Sequence, residues 1–214
     1  MPEEVKARPY RSPLRAARAQ ATRRAVLDAA EAHFLADGYL TTTTRQIAAT
    51  AGVSVDTLYA SVGRKPELML ALIESAISGT DRPVDAEDRT YVQAMRAEPS
   101  ARRKLQIYAA ALRRLLPRLA PLVAVLREAA AVDPDCAAVW RAISDRRAAN
   151  MRLLVADLRA TGELRGDIAD DEIADFIWST NAPEYYQLLV DRGWSPEQYE
   201  RLVADIWIRT LLLP

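Results

Sequence analysis

Few side chains in this sequence can do covalent or metal chemistry. There is one histidine, His33, and one cysteine, Cys136. One imidazole and one thiol cannot complete a tetrahedral zinc site alone. A single cysteine closes no disulfide within the chain, which suits a reducing cytosol. No Gly-rich phosphate loop is present. The acidic run Asp167, Asp170, Asp171 and Glu172 reads as helix capping, where the dipole favours negative charge, rather than as a cation site. His33 has no evident acid or nucleophile partner in sequence and reads as a half-buried structural residue. Cys136, at a helix start, reads as a buried thiol. The sequence therefore predicts no catalytic residue, no metal site and no cofactor.

A denser group of functional side chains lies between 41 and 68. Thr43, Thr44 and Arg45 stand where a helix begins, and free N–H groups there favour an anion. Ser54 and Thr57 carry hydroxyls that can bond a phosphate or a base edge, and Val55 suits a thymine methyl. Asp56 can accept from a cytosine amino group or complement the helix dipole. Tyr59 can send its phenol to a phosphate while its ring packs below. Lys65 opens another helix and has the chemistry of a phosphate clamp. This set predicts contact with double-stranded DNA.

The elements that must position these residues are helical throughout. Ala, Leu, Arg and Glu dominate, apolar residues recur at helical spacing, and no alternating strand pattern appears. Val26, Ala30 and Phe34 mark a helix over 15–37, stopped by Gly38. Thr43 and Gln46 form a capping-box pattern for a helix over 44–50. Ala51-Gly52-Val53 is a tight turn, and Ser54 caps a short helix over 55–60 that needs neighbours to persist. Gly63 ends it, and Pro66 suits the first turn of the next helix. Two short helices joined across Gly52, held on helices before and after, make a helix-turn-helix whose second helix is the candidate reader of the major groove.

Charge divides the same way. The 214 residues carry 29 Lys+Arg and 29 Asp+Glu. Residues 5–65 hold ten of the cations against four of the acids, which leaves the remainder acidic. A basic first third on an acidic body fits one region meeting an anion. Apolar runs are too short for a membrane span, and the N-terminus lacks a secretory leader pattern, so a cytoplasmic protein with no membrane partner is expected.

Ile47-Ala48-Ala49, Ala51-Gly52-Val53-Ser54, Thr57-Leu58-Tyr59, Lys65 and Leu68 resemble the DNA-binding domain of the tetracycline-repressor (TetR) family. Ala30, Phe34 and Gly38 resemble its first helix, and Gly193-Trp194-Ser195-Pro196 resembles the ending of some members. The match spans about residues 20–70. Val62 departs from it, since the family usually has phenylalanine there. The resemblance implies that Thr44, Tyr59 and Lys65 meet phosphates and that Ser54, Val55 and Thr57 lie near the bases. It also implies a helical ligand-binding and dimerisation region farther on. The expected fold is all-α. Residues 1–14 form a disordered tail, 15–65 a three-helix DNA-binding domain, and 66–214 the ligand-binding and dimerisation domain.

Beyond residue 66 the sequence predicts a hinge at Gly79 to Asp85, a weak helix over 86–97 and a strong one opened by Pro99-Ser100. Pro117 and Pro121 should break that helix before a further one over 121–131. A long helix follows over 134–160. Asp170 caps another that Pro183 bends or breaks, and Ser195 caps the last. Trp140, Ile143, Leu154, Trp178, Tyr185 and Tyr186 on the helices over 134–160 and 170–192 are candidates for a four-helix homodimer interface. Candidate pocket residues are Tyr91, Met95, Tyr108, Leu112, Val123, Leu126 and Trp140, with Asn181 as a polar contact. Few charges lie on these faces, which favours a small apolar or aromatic effector. The resulting expectation is a homodimeric repressor of an inverted-repeat operator, released when such a molecule displaces the helix from Pro66. The competing readings are a DNA-binding activator or architectural protein without a ligand, and a helical enzyme or lipid carrier in which 41–68 is only scaffold.

Overall fold

Val26, Ala30 and Phe34 are fully buried, and they lie on the inner face of α1 (Pro13–Asp37). The computed structural model describes residues 13–80 and 84–214. Residues 1–12 of the expected tail and 81–83 of the expected hinge lie outside the described residues; Pro13 and Leu14 already belong to α1. Next come α2 (Thr44–Thr50), α3 (Val55–Ser61) and α4 (Lys65–Ser78). A 3-10 turn (Ala86–Asp88) leads into α5 (Thr90–Ala97) and α6 (Ala101–Ala130). The chain continues through α7 (Pro134–Arg159), α8 (Asp170–Thr180), α9 (Pro183–Val190) and α10 (Pro196–Leu211). An isolated bridge between Leu164 and Leu212 ties the start of the α7–α8 connection to the segment after α10.

The capping signals act as the sequence predicts. Thr43 Oγ1 accepts from the Gln46 N–H at 3.2 Å while Gln46 Oε1 accepts from the Thr43 N–H at 2.8 Å. Ser195 and Gln198 make the same reciprocal pair. Ser54 accepts from the Thr57 N–H at 3.1 Å, which starts α3. At the next site the cap is Ala169 rather than Asp170: Glu172 accepts from the Ala169 N–H at 3.2 Å. Pro183 separates α8 from α9, because it cannot donate the bond that would continue the helix.

The expected break at the two prolines is also overturned. Pro117 and Pro121 do not break the chain into two helices; α6 runs unbroken for 30 residues. Both prolines face solvent. The carbonyls of Arg113 and Pro117, which lose their α-helical partners, belong to residues on or near that wet side. Leu112, Leu116, Ala120, Leu122 and Val123 are buried on the other side. An interior proline costs about 3 kcal/mol, and burying a Leu or Val side chain stabilises by ~1.5–3 kcal/mol each. Packing therefore outweighs the breaker.

That continuity matters because the helix passes through two cores. Leu105, Tyr108, Leu112, Leu116 and Ala120 belong to one, with residues from α5, the second half of α7, α8, α9 and α10. Leu122, Val123, Leu126 and Ala129 belong to the other, with α1 to α4 and the start of α7. α4 is buried in this second group through Leu68, Met69, Leu72 and Ile73. α6 is therefore a rigid member shared by the helix-turn-helix end and the far end of the molecule.

Candidate nucleic-acid interface and cavity

α3 is only seven residues long. Leu58 is its fully buried anchor, and Val55 packs beside it, partly buried. That leaves Ser54, Asp56, Thr57 and Tyr59 on the exposed side. Ser54 Oγ and Thr57 Oγ1 lie 2.8 Å apart, so the two hydroxyls share one proton and leave lone pairs and a second proton outward. Tyr59 is 44% exposed, and its hydroxyl lies 3.3 Å from Thr44 Oγ1 across the α2–α3 turn. Arg45 is exposed on the first turn of α2. Thr43, Arg45, Ser54, Asp56, Thr57 and Tyr59 are thus exposed on α2, α3 and their caps, Thr44 and Val55 are half-buried, and the Thr44–Tyr59 contact joins the two helices.

The turn depends on Gly52, which has φ +68°. A non-glycine residue there meets no neighbouring atom but carries the left-handed backbone strain. Val62, where the family has phenylalanine, ends α3 with its N–H on the Leu58 carbonyl at 3.0 Å and packs partly buried against the core.

Lys65 is held differently from a free clamp. Its ammonium donates to the Tyr39 carbonyl at 2.6 Å and lies 4.1 Å from the Tyr39 ring centroid. Partial burial draws its pKa below the usual lysine range. Two of its three N–H bonds remain for another acceptor. Arg64, its exposed neighbour, pairs with Glu67 at 3.1 Å and with Asp135 at 3.5 Å.

His33 joins α1 to α2. Its Nδ1 lies 3.1 Å from Asp37 Oδ2 and its Nε2 lies 2.9 Å from Thr50 Oγ1. Cys136 is fully buried, and that burial pushes its thiol pKa up, away from reactivity. Among the described residues no cluster of three His, Cys, Asp or Glu side chains could hold a metal ion. Among the described residues no helix is long and apolar enough to cross a membrane.

A cavity of about 510 Å³ opens among the end of α4, α5, α6, α7 and the α8–α9 junction. Tyr91, Met95, Tyr108, Leu112 and Asn181 line it, as the sequence suggested. Val123, Leu126 and Trp140 do not: all three pack in the core shared with α1 to α4. Tyr91 and Tyr108 stack at 6.2 Å between centroids, and Tyr108 stacks on Trp207 at 5.7 Å. Burial pushes the Tyr108 hydroxyl well above its usual pKa, so it stays protonated. The Asn181 amide donates to Tyr108 Oη at 2.9 Å and to Met151 Sδ at 3.0 Å.

Sequence reasoning missed Arg147 and Met151 on α7, Arg89 before α5, and Leu115, Leu116 and Leu119 on α6, all in the cavity wall. Arg147 could have been found. It continues the stripe Cys136, Trp140, Ile143, then Met151 and Leu154, so a cation interrupts an inward-facing row. Its guanidinium donates to the Trp178 carbonyl and lies 4.5 Å from the centre of that indole. Ile143, Leu154 and Tyr186, expected at a homodimer interface, are buried within this chain's own cores. Trp140, Trp178 and Tyr185 remain partly exposed.

Residues 26–72 match the family described as bacterial regulatory proteins, tetR family. No curated protein matches the chain. Solved structures of similar fold include the fatty acid degradation regulator FadR from Bacillus halodurans, at 15% identity and TM-score 0.71, covering 88% of this chain and 95% of that one. FadR from Bacillus subtilis in complex with stearoyl-CoA is similar at 16% identity and TM-score 0.69, covering 86% and 97%. SmeT in complex with triclosan is similar at 20% identity and TM-score 0.66, covering 91% and 93%. These identities speak to the fold, while the N-terminal match bears out the family resemblance read from residues 20–70. The described residues have the helical fold of these structures, and residues 26–72 match the tetR-family model at the helix-turn-helix.

Proposed function

From a chain whose residues 26–72 carry the tetR-family helix-turn-helix, we propose a homodimeric repressor. It binds an inverted-repeat operator in duplex DNA, in the cytoplasm, and is released by a small apolar or aromatic effector held in the cavity on α5 to α9. The observation that carries this reading is the short α3, fixed from below by Leu58 and offering Ser54, Thr57 and Tyr59 outward. A seven-residue helix cannot persist alone. One that exists to fill a core would gain by being longer, whereas one presented on a platform can enter a groove.

In this reading residues 15–65 form the DNA-binding domain and 66–214 the effector and dimerisation domain. Thr44, Tyr59 and Lys65 meet phosphates; Ser54, Val55 and Thr57 read bases; Thr43, Arg45 and Asp56 flank them. Dimerisation uses the outer faces of α7 to α9, where Leu153 and Leu188 are exposed at 61% and 66%. Release runs through α6, because that helix lines the cavity with Tyr108, Leu112 and Leu116 and then packs against α1 and α4. Occupying the cavity displaces α6, and the two recognition helices of the dimer leave the spacing of two half-sites.

The test is duplex binding as a function of salt. Counterion release requires log K to fall linearly with log salt, with a slope set by the number of phosphates neutralised. A steep negative slope supports the reading. Weak binding without salt dependence contradicts it and favours a carrier.

A further inference from the structure

The geometry points to an apolar acid as the effector: a hydrophobic or aromatic body in the cavity, with its carboxylate received by Arg147 and Arg89. The inference rests on the reading of this cavity as the effector site.

Among the described residues, neither Arg147 nor Arg89 forms an ion pair. Arg147 and Arg89 both line the cavity. In each, Nε is buried and has no hydrogen-bond partner. Their recorded bonds go to backbone carbonyls, Arg147 to Trp178 and Arg89 to Val84. Both side chains line the same cavity as Tyr108 and Asn181, and both guanidiniums act electrostatically on the Tyr108 hydroxyl. Both residues are half-buried, and a guanidinium drawn partly out of water is stabilised by an anionic partner.

The carboxylates that might serve are engaged or peripheral. Asp157 pairs with the buried Lys104 at 2.8 Å. Glu87 pairs with Arg96 at 3.3 Å. Glu184, which bears on Arg147 electrostatically but forms no ion pair with it and does not line the cavity, gives one oxygen to Arg127 at 3.2 Å and keeps the other buried without a partner. Asp85 and Asp88 are exposed. The cavity wall also holds the Asn181 Oδ1, buried and without a partner, on a residue only 3% exposed. The wall includes Tyr91, Met95, Leu112 and Met151 as well. An apolar chamber with unsatisfied guanidinium donors in its wall is complementary to a molecule with one anionic head. A carboxylate matches the planar fork of arginine with two parallel bonds.

The experiment uses the full chain and two matched sets of probes: decanoate, 1-decanol and decylamine; phenylbutyrate, phenylbutanol and phenylbutylamine. Calorimetry should show the acid of at least one set binding about tenfold or more tighter than its alcohol and amine, the scale of a charge-assisted pair. Arg147→Met should bring the acid down to the alcohol and leave the alcohol unchanged. On the unmodified protein, acid affinity should fall as pH drops through the carboxylate range, about 4–5, while alcohol affinity holds. That comparison needs no variant and so survives a failure of Arg147→Met to fold. Equal binding of acid and alcohol, or tightest binding of the amine, overturns the inference and leaves the cavity as an effector site. Binding by none of the six overturns the reading of the cavity itself. An acid preference unchanged in Arg147→Met overturns the role given to that residue.

Discussion

Arg118 on α6 and Glu31 on α1 meet as a two-pronged pair, with Nε 3.2 Å from one carboxylate oxygen and Nη2 2.8 Å from the other. Arg118 follows Pro117, at the point where α6 leaves the cavity wall and enters the core of the helix-turn-helix end. The pair ties α6 to α1, part of the platform that carries α3. Exposed pairs of this kind contribute only about 0–1 kcal/mol to stability, so removing it separates coupling from folding. In Arg118→Ala, operator affinity and effector affinity should each stay near the parent value. The factor by which each weakens the other, commonly ~5- to 150-fold in such linkage, should fall toward one. Measuring operator affinity with and without the tightest-binding acid probe gives that factor; an unchanged factor removes α6 from the route.

Tyr59→Phe and Lys65→Ala should weaken binding alike on all duplexes and flatten its salt dependence, because phosphates carry no sequence information. Thr57→Ala or Val55→Ala should instead change which base is preferred, by ~1–3 kcal/mol for a good contact. Comparing each variant on a set of single-base operator variants checks this. A Lys65→Ala protein with altered preference and unaltered affinity would refute the assignment.

Lys104 is 3% exposed and bonds the Met95 carbonyl at 2.7 Å and Asp157 at 2.8 Å. Lys104→Met leaves Asp157 without its cation. Because Asp157 is about one-third exposed, water compensates in part, and the loss should be about 1–3 kcal/mol rather than the ~3–5 of a fully buried pair. Urea unfolding measures it. The double variant Lys104→Met, Asp157→Leu should be more stable than Lys104→Met alone, since it leaves no orphaned charge. A double variant less stable than the single would contradict this account of the site.

Gly52→Ala should destabilise by about 1–2 kcal/mol, the cost of the left-handed conformation for a residue with Cβ. Gly166 provides the control: it has no positive φ and open space around it. Gly166→Ala should be neutral within ~0.5 kcal/mol or slightly stabilising. Thermal unfolding of the two variants side by side distinguishes backbone strain from loss of a small residue as such.

Local signals carried most of the fold. The Thr43–Gln46 box and the Ser54 cap place α2 and α3, because each needs only residues three apart. What was not legible depends on which face of a helix meets which neighbour. Pro117 and Pro121 look like breakers until their shared solvent face is known. Val123, Leu126 and Trp140 read as well for the cavity as Leu112 does, and only the passage of α6 between two cores assigns them elsewhere. His33 finds Thr50, seventeen residues away, through tertiary packing alone. Arg147 is the instructive case, since the apolar stripe of α7 marked it and its neighbour Arg146, which reaches out to Glu74, looks the same in sequence.

The most direct test of a dimeric DNA-binding regulator is selection of binding sites from a pool of random duplexes. The account predicts enrichment of an inverted repeat whose half-sites lie about 34–36 Å apart, or a multiple of that spacing. An even number of chains should bind it, and Tyr59→Phe combined with Lys65→Ala should lose most of the affinity. A pool returned without enrichment, or a single unrepeated site bound by one chain, would contradict it.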